Sequence, residues 1–152
     1  IRFFSSANVA GNIATVNNAI LTTDGSGVPS MTTSLPPGIA IQGLPLTVIS
    51  GTSQSASVNN SYVSNNASLC TITLPSTAVV GDTIQVAGLG AGGWKVAQNA
   101  SQLIYLGSSV TTTGTGGSLA STNQYDSITY LRCVVTNTTW VCYGVQGNIT
   151  VT

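Results

Sequence analysis

Histidine is absent from this 152-residue chain, and charged side chains are scarce. Only 4% of the residues are charged, against about 25% in an ordinary domain. General acid–base catalysis needs titratable groups whose pKa values are tuned by close neighbours, and here no two charged residues lie within five positions of each other. We therefore predict that the chain is not an enzyme and that it uses no cofactor. The charged residues are Arg2, Asp24, Asp82, Lys95, Asp126 and Arg132.

Two catalytic alternatives stay open at this point. A glycosidase would need two carboxylates to converge from Asp24, Asp82 and Asp126. An oligomer could instead bring copies of Asp24 or Asp82 together on a threefold axis, where they could hold a metal or an anion. A serine or cysteine nucleophile would lack histidine, its usual base.

The scarcity of charge also limits the possible partners. Three scattered cations cannot supply the clustered lysine and arginine that nucleic-acid binding requires. No apolar run approaches the roughly 20 residues that span a bilayer. The first residues do not have the pattern of a secretory signal, and a start at Ile1 suggests a piece of a longer protein.

Cysteine occurs three times, at Cys70, Cys133 and Cys142, without a CxxC pair. An odd number argues against a disulfide framework, and no histidine is available to complete a zinc site. We predict three free core thiols in a protein that folds in a reducing cytosol, and no metal site.

Polar but uncharged residues replace the missing charges. Ser, Thr, Asn and Gln account for 60 of the 152 residues, while 42% of the chain is hydrophobic. This composition lacks the low hydrophobicity and high charge of disordered chains. It is typical of the uncharged β-structured surfaces of virion fibres and secreted adhesins.

Short alternating segments at roughly ten-residue spacing predict an all-β fold, and helical periodicity is nearly absent. Residues 50–152 contain enough strands and aromatic residues for one antiparallel β-sandwich. The predicted strands include Cys70–Leu74, Asp82–Val86, Trp94–Val96, Gln102–Leu106, Ser127–Val135, Trp140–Val145 and Asn148–Thr152.

Residues 1–49 carry only scattered aliphatic side chains and cannot bury enough apolar area to fold alone. They are either a linker or a shaft segment that winds around copies of itself. We favour the second, because linkers rarely carry so many large aliphatics. The side chains expected to face a common axis include Ile20, Leu21, Val28, Met31, Leu35, Ile39 and Ile41.

A predicted hairpin from Leu131 to Tyr143, with its turn at Asn137–Thr138, points to an oligomer. In the expected register Cys133 lies opposite Cys142 and Val135 opposite Trp140. One face of the hairpin carries Leu131, Cys133, Val135, Trp140 and Cys142, and the other carries Ile128, Tyr130, Val134, Val141, Tyr143 and Val145, with Arg132 among them. Because both faces are apolar, we expect another subunit to cover the second face, with Tyr130 and Tyr143 in the interface.

Three further features can be interpreted in two ways. Gly88–Gly93 fits a glycine-rich turn better than a phosphate loop, because a strand and not a helix follows it. Trp94 and Trp140 are predicted to fill the core, although exposed tryptophans could stack on sugars. The turn-rich segment 108–124 is the best place for recognition, and its end supplies the candidate receptor-binding residues Asn123, Gln124, Tyr125 and Asp126. A folding role for Tyr125 and Asp126 is equally possible.

Several of these segments resemble phage tail fibre proteins. Residues 17–30, NNAILTTDGSGVPS, are similar to the connector between shaft and head. The segments TITLP at 71–75, VGD at 80–82, GAGGWKVAQN at 90–99 and GTGGSLASTNQYD at 114–126 resemble the C-terminal head domain of such fibres. The resemblance covers the chain from about Asn17 to its end.

This resemblance implies a homotrimer with a jelly-roll-like head that attaches to a host-cell glycan or surface protein. Such a fibre would be part of the virion and would be assembled in the host cytoplasm. The resemblance brings no receptor-binding motif with it. A purely structural fibre segment, with binding carried by another chain, is the alternative.

Overall fold

The computed structural model describes the strand residues Ile20–Thr23 and Pro29–Thr32, and then residues 43–152. The chain divides into two compact units, residues 1–42 and residues 43–152. In the first unit β1 (Ile20–Thr23) pairs antiparallel with β2 (Pro29–Thr32). The interface candidates Ile20 and Leu21 lie in β1, whereas Val28 and Leu35 lie outside the described residues.

The second unit begins at residue 43, seven residues before the predicted boundary, because β3 belongs to its larger sheet. The described residues include no helix, and therefore none that could span a membrane. The strands of this unit are β3 (Leu46–Ile49), β4 (Ser53–Ser55), β5 (Asn60–Ser64), β6 (Cys70–Thr73), β7 (Thr83–Gly88), β8 (Trp94–Ala97), β9 (Leu103–Leu106), β10 (Ser109–Val110), β11 (Ser118–Ser121), β12 (Ser127–Val135), β13 (Thr139–Gln146) and β14 (Thr150–Val151).

These strands form two mixed sheets, so the prediction of antiparallel sheets was wrong. The larger sheet has the order β10-β9-β13-β12-β7-β5-β3, and the smaller has the order β14-β11-β8-β6-β4. From β3 to β8 the chain changes sheet after every strand. Successive strands of one sheet therefore run in the same direction, and β3, β5 and β7 are parallel, as are β4, β6 and β8.

The inward side chains of both sheets form one hydrophobic cluster, the arrangement of a β-sandwich. Trp94 in the smaller sheet and Trp140 in the larger sheet are both completely buried, which confirms the core interpretation of the two tryptophans. The alternating pattern of β6 is also confirmed, since Cys70, Ile72 and Leu74 are buried together.

The β12–β13 hairpin exists, but its predicted register was wrong by two residues. Cys133 lies opposite Trp140, and Leu131 lies opposite Cys142. The reason is the hairpin loop, residues 136–138, in which Asn137 adopts a left-handed conformation with φ 64°. Asn137 also fixes this loop to Ala78, because its Oδ1 accepts a hydrogen bond from Ala78 N and its own N–H donates to Ala78 O.

An irregularity in β12 changes which side chains face inward. Ile128 pairs with Val86 of β7 and Leu131 pairs with Ile84, so three steps along β12 match two steps along β7. Ile128 is therefore buried, whereas the sequence placed it on the second face. Val135 was predicted to be inward, but it lies next to the loop and is 53% exposed.

All three cysteines are free and buried. The expected cross-strand arrangement of Cys133 and Cys142 does not occur, because each lies opposite another residue. Burial raises the pKa of all three thiols, which keeps them protonated and unreactive near neutral pH.

The two tryptophans provide a matched test of the core. The Nε1–H of Trp94 donates to Asp126 O at 2.8 Å, whereas Trp140 Nε1 is buried without a hydrogen-bond partner. We expect Trp94→Phe to lower the free energy of unfolding by about 1–3 kcal/mol more than Trp140→Phe, because only the first loses a hydrogen bond. Urea unfolding of both variants measures the difference, and a larger loss for Trp140→Phe would contradict the assignment.

Candidate functional site

The loops at one end of the sandwich form the candidate site. We call this end the apex and define it as residues 50–52, 65–69, 89–93, 122–125 and 147–149, which follow the upward-running strands β3, β5, β7, β11 and β13. The opposite end, the base, contains the starts of β3, β5 and β7. Gly43 lies at the base, where Pro45 O accepts a hydrogen bond from Ser61 N.

Close backbone packing joins three of the apical loops. Gly90 and Gly92 lie so near Asn66 and Ser68 that a Cβ on either glycine would collide with backbone atoms. Gly92 N donates to Asn66 O at 3.0 Å, and the buried Ser64 Oγ donates to Gly93 O at 2.8 Å. Because the contacts are made by backbone and not by long side chains, these loops form a stiff surface.

Gly93 fixes the same loop on its other side. It has φ 68°, and a Cβ there would collide with Ser121 O at the end of β11 and with Thr122 Cα in the loop that follows. The loop 89–93 is thus held between loop 65–69 and the segment after β11. The prediction that Gly88–Gly93 is a glycine-rich turn followed by a strand is confirmed, since β8 begins at Trp94.

Asp126 is the only charged residue among the four candidates, and it is buried beneath the apex. Its Oδ2 accepts hydrogen bonds from Ser121 Oγ at 2.6 Å, from Asn148 N at 3.0 Å and from Asn123 Nδ2 at 3.2 Å. The Ser121 hydrogen bond is the main cause that lowers the pKa of Asp126, against the opposing effect of burial. The carboxylate therefore holds the loop together and is not available to a ligand.

The other three candidates lie on the exposed loop between β11 and β12. Asn123 uses its side-chain amide to hold Asp126, and Gln124 Nε2 donates to Leu89 O at 3.0 Å. Tyr125 has φ 66°, its N–H donates to Gly88 O at 2.8 Å, and its side chain is 67% exposed. A left-handed conformation is strained for an aromatic residue, so the conformation that holds Tyr125 outward lowers the free energy of unfolding.

Two exposed leucines of the apex were not predicted from the sequence. Leu69 is 40% exposed in loop 65–69, and Leu89 is 45% exposed in loop 89–93. Leu89 lies between Gly88 and Gly90, and a leucine between two glycines in a turn was the signal that could have revealed it. With Tyr125, these side chains make the apex partly apolar.

The apex has no exposed charge among the described residues. Asp82 lies at the base, where Asn59 Nδ2 donates to its Oδ1 and Val79 N donates to its Oδ2. Lys95 lies within β8 and Arg132 within β12. Since Asp82 and Asp126 lie at opposite ends of the sandwich, these two do not form a glycosidase pair within one chain. Asp24 lies outside the described residues.

No group of three or more histidine, cysteine, aspartate or glutamate side chains that could hold a metal ion occurs among the described residues. A separate open cavity of about 460 Å³ lies at the base, lined by segments 55–58 and 73–77 and by Asn99, and half of its ten lining residues carry a hydroxyl group.

A comparison with protein-family models and with curated proteins finds no match to this chain.

The glycine contacts of the apex predict a stability difference. Gly92→Ala should lower the free energy of unfolding by about 1–3 kcal/mol, because a Cβ at this position overlaps the backbone of loop 65–69. Gly116→Ala is the matched control, since a Cβ there meets nothing within 4 Å. Thermal unfolding of both variants measures the effect, and equal midpoints would show that the loops are not held this way.

The lowered pKa of Asp126 predicts a loss of stability in acid. A carboxyl group whose folded pKa lies below its unfolded value stabilises the fold above the unfolded value, and this contribution disappears as the pH falls through the folded pKa. Asp126→Asn should therefore unfold more easily than wild type at pH 6 and differ less from it near pH 2. Urea titrations at both pH values measure this, and a difference that stays constant would contradict the role of the charge.

Proposed function

We propose that the chain is the tip region of a homotrimeric tail fibre, part of a virion assembled in the host cytoplasm, and that its apex attaches to a host-cell surface. The observation that carries this proposal is the apex itself, a stiff and uncharged loop surface from which Tyr125 projects. Loops that a rigid scaffold holds in place are the usual position of binding residues.

The direction of the chain supports the apex over the base as the attachment surface. Gly43, the first residue of the second unit, precedes β3 at the base. In a fibre whose shaft precedes its tip, we therefore expect the apex to be the free end.

Several residues that carry the resemblance to tail fibre heads lie in or beneath the apical loops. The motif GAGGWKVAQN at 90–99 supplies Gly90, Gly92 and Trp94, and the motif GTGGSLASTNQYD at 114–126 ends at Asp126. These residues pack the apical loops or hold them by hydrogen bonds. The shared motif thus supports a common apex geometry, and the receptor contacts belong to the exposed positions between its members.

The chemistry of the apex fits an uncharged partner surface, a glycan or a surface protein. The phenol of Tyr125 offers a flat face for stacking, and hydroxyl and amide groups of neighbouring loop residues offer hydrogen bonds. A small surface of this kind binds weakly on its own. Three copies in one fibre would raise the overall affinity through avidity, without any added contact.

Cell binding by variants of two exposed residues, one at each end of the sandwich, tests the proposal. Tyr125→Asn removes the phenol but keeps a residue that tolerates the left-handed conformation. We expect it to reduce binding of the intact chain to host cells at least tenfold, by flow cytometry of labelled protein. Val80→Ser, at a position 64% exposed near the base, is the control and should bind as wild type does.

Binding should also change little between low salt and near-molar salt, since the apex has no charge to screen. A steep loss of binding with salt would contradict the apex as the contact surface. Absence of cell binding by the wild-type chain would favour the purely structural fibre segment instead.

A further inference from the structure

The outward face of the seven-stranded sheet carries many exposed apolar side chains beside polar ones such as Ser61 and Gln85, and nothing in the described chain covers it. We call it the outer face. Its side chains alternate with the buried ones of the same strands, as in β3, where Ile49 is buried and Val48 is exposed. Its exposed apolar side chains include Leu46, Val48, Tyr105, Val110, Tyr130 and Tyr143.

The exposed area of this face is comparable to the largest apolar patch of a typical single domain. Tyr143 is 63% exposed, Tyr130 is 45% exposed and Tyr105 is 42% exposed. At roughly 200 Å² for an aromatic side chain, these three leave about 300 Å² of surface open. The aliphatic members, each about half exposed, add to it. The total approaches the largest patch of a typical monomer, about 300–600 Å², and is a substantial part of the roughly 800 Å² that each partner of a stable interface buries.

Arg132 is the only charged residue on the outer face within the described chain, and its exposed side chain lies beside Tyr143. The guanidinium carbon lies 5.9 Å from the centre of the Tyr143 ring, within reach of a cation–π interaction. Tyr130, Arg132 and Tyr143 together line a shallow cavity of about 170 Å³. A guanidinium that lies on an aromatic ring can pack against an uncharged surface, because it is more weakly hydrated than an ammonium group.

We propose that the outer face is covered by second copies of this chain, so that this sheet forms the subunit contact of the fibre tip. The inference rests on the proposed homotrimer and names its interface. In a closed threefold assembly the outer face of each copy packs against a different surface of the next copy, and a face with a single charged side chain needs little charge complementarity there. The apex lies at the ends of the strands and not on this face, so the contact leaves it free.

A strap from the same chain would cover too little of the face. Residues 33–42 directly precede Gly43 and could span at most about 35 Å when extended. The seven strands are about 29 Å wide at a spacing of about 4.8 Å, so such a strap could cross them once. A single extended segment covers a strip about one strand wide, so it leaves open most of the face along the direction of the strands. Another sheet or another copy is needed to cover the whole area.

A charge introduced on the outer face tests the proposal. Tyr143→Glu should convert the trimer of the intact chain to a species of lower mass in sedimentation equilibrium, because burying an unpaired carboxylate in the contact is costly. The side chain is 63% exposed in a single chain, so the fold itself should survive, which circular dichroism and tryptophan fluorescence check. Val80→Glu, with 64% exposure near the base, is the matched control and should remain a trimer.

The outcomes separate this inference from the proposed function. A wild-type monomer would overturn both the interface and the trimer. A Tyr143→Glu variant that stays trimeric would overturn the interface and leave the trimeric fibre tip standing. Tyr143→Glu that is less stable than wild type at unchanged trimer mass would mean that a segment of the same chain covers the face. Loss of cell binding by a Tyr125 variant that remains trimeric would support the apex as the attachment surface and would not test the interface.

Discussion

Asp126 connects the apical loops to the core of the sandwich through its carboxylate and carbonyl groups. Its carbonyl oxygen accepts hydrogen bonds from Trp94 Nε1 and from Gly88 N, so it joins a core side chain of the smaller sheet to β7 of the larger sheet. Its carboxylate holds the segment after β11 and the loop after β13. A carboxylate accepts such bonds at full strength only when ionised, which explains why a chain with three acidic residues places one of them here.

Because the chain alternates between the two sheets, the second unit has two separate exposed surfaces. Each crossing from β3 to β8 leaves a short loop at one end, so the apex collects loops that are distant in sequence. Glycines at the closest approaches let these loops pack by backbone. One sheet face is left apolar and exposed, and the two surfaces, apex and outer face, therefore point in different directions and can serve different partners.

The sequence predicted seven of the twelve strands of the second unit and predicted their pairing poorly. It missed β3, β4, β5, β10 and β11, of which the last two lie in the segment 108–124 that was predicted to be rich in turns. The period of two that identifies β6 and β7 is a local property of the chain, and the burial of Cys70, Ile72 and Leu74 follows it. The parallel pairing of β3 with β5 depends on where the chain crosses, for which no local signal exists. At the apex, the sequence named Tyr125 as a candidate contact residue, and its side chain is exposed. The burial of Asp126 was not predicted, because a charged residue in a polar loop suggests exposure until its hydrogen-bond donors are known.

Nitration of the tyrosines with tetranitromethane, mapped by mass spectrometry on the intact native chain, tests the account most directly. In a single chain Tyr105, Tyr125, Tyr130 and Tyr143 are all between 42% and 67% exposed. If copies cover the outer face and leave the apex free, Tyr125 reacts quickly while Tyr105, Tyr130 and Tyr143 react slowly. Similar rates at all four tyrosines would contradict the account, since they would show an outer face open to solvent.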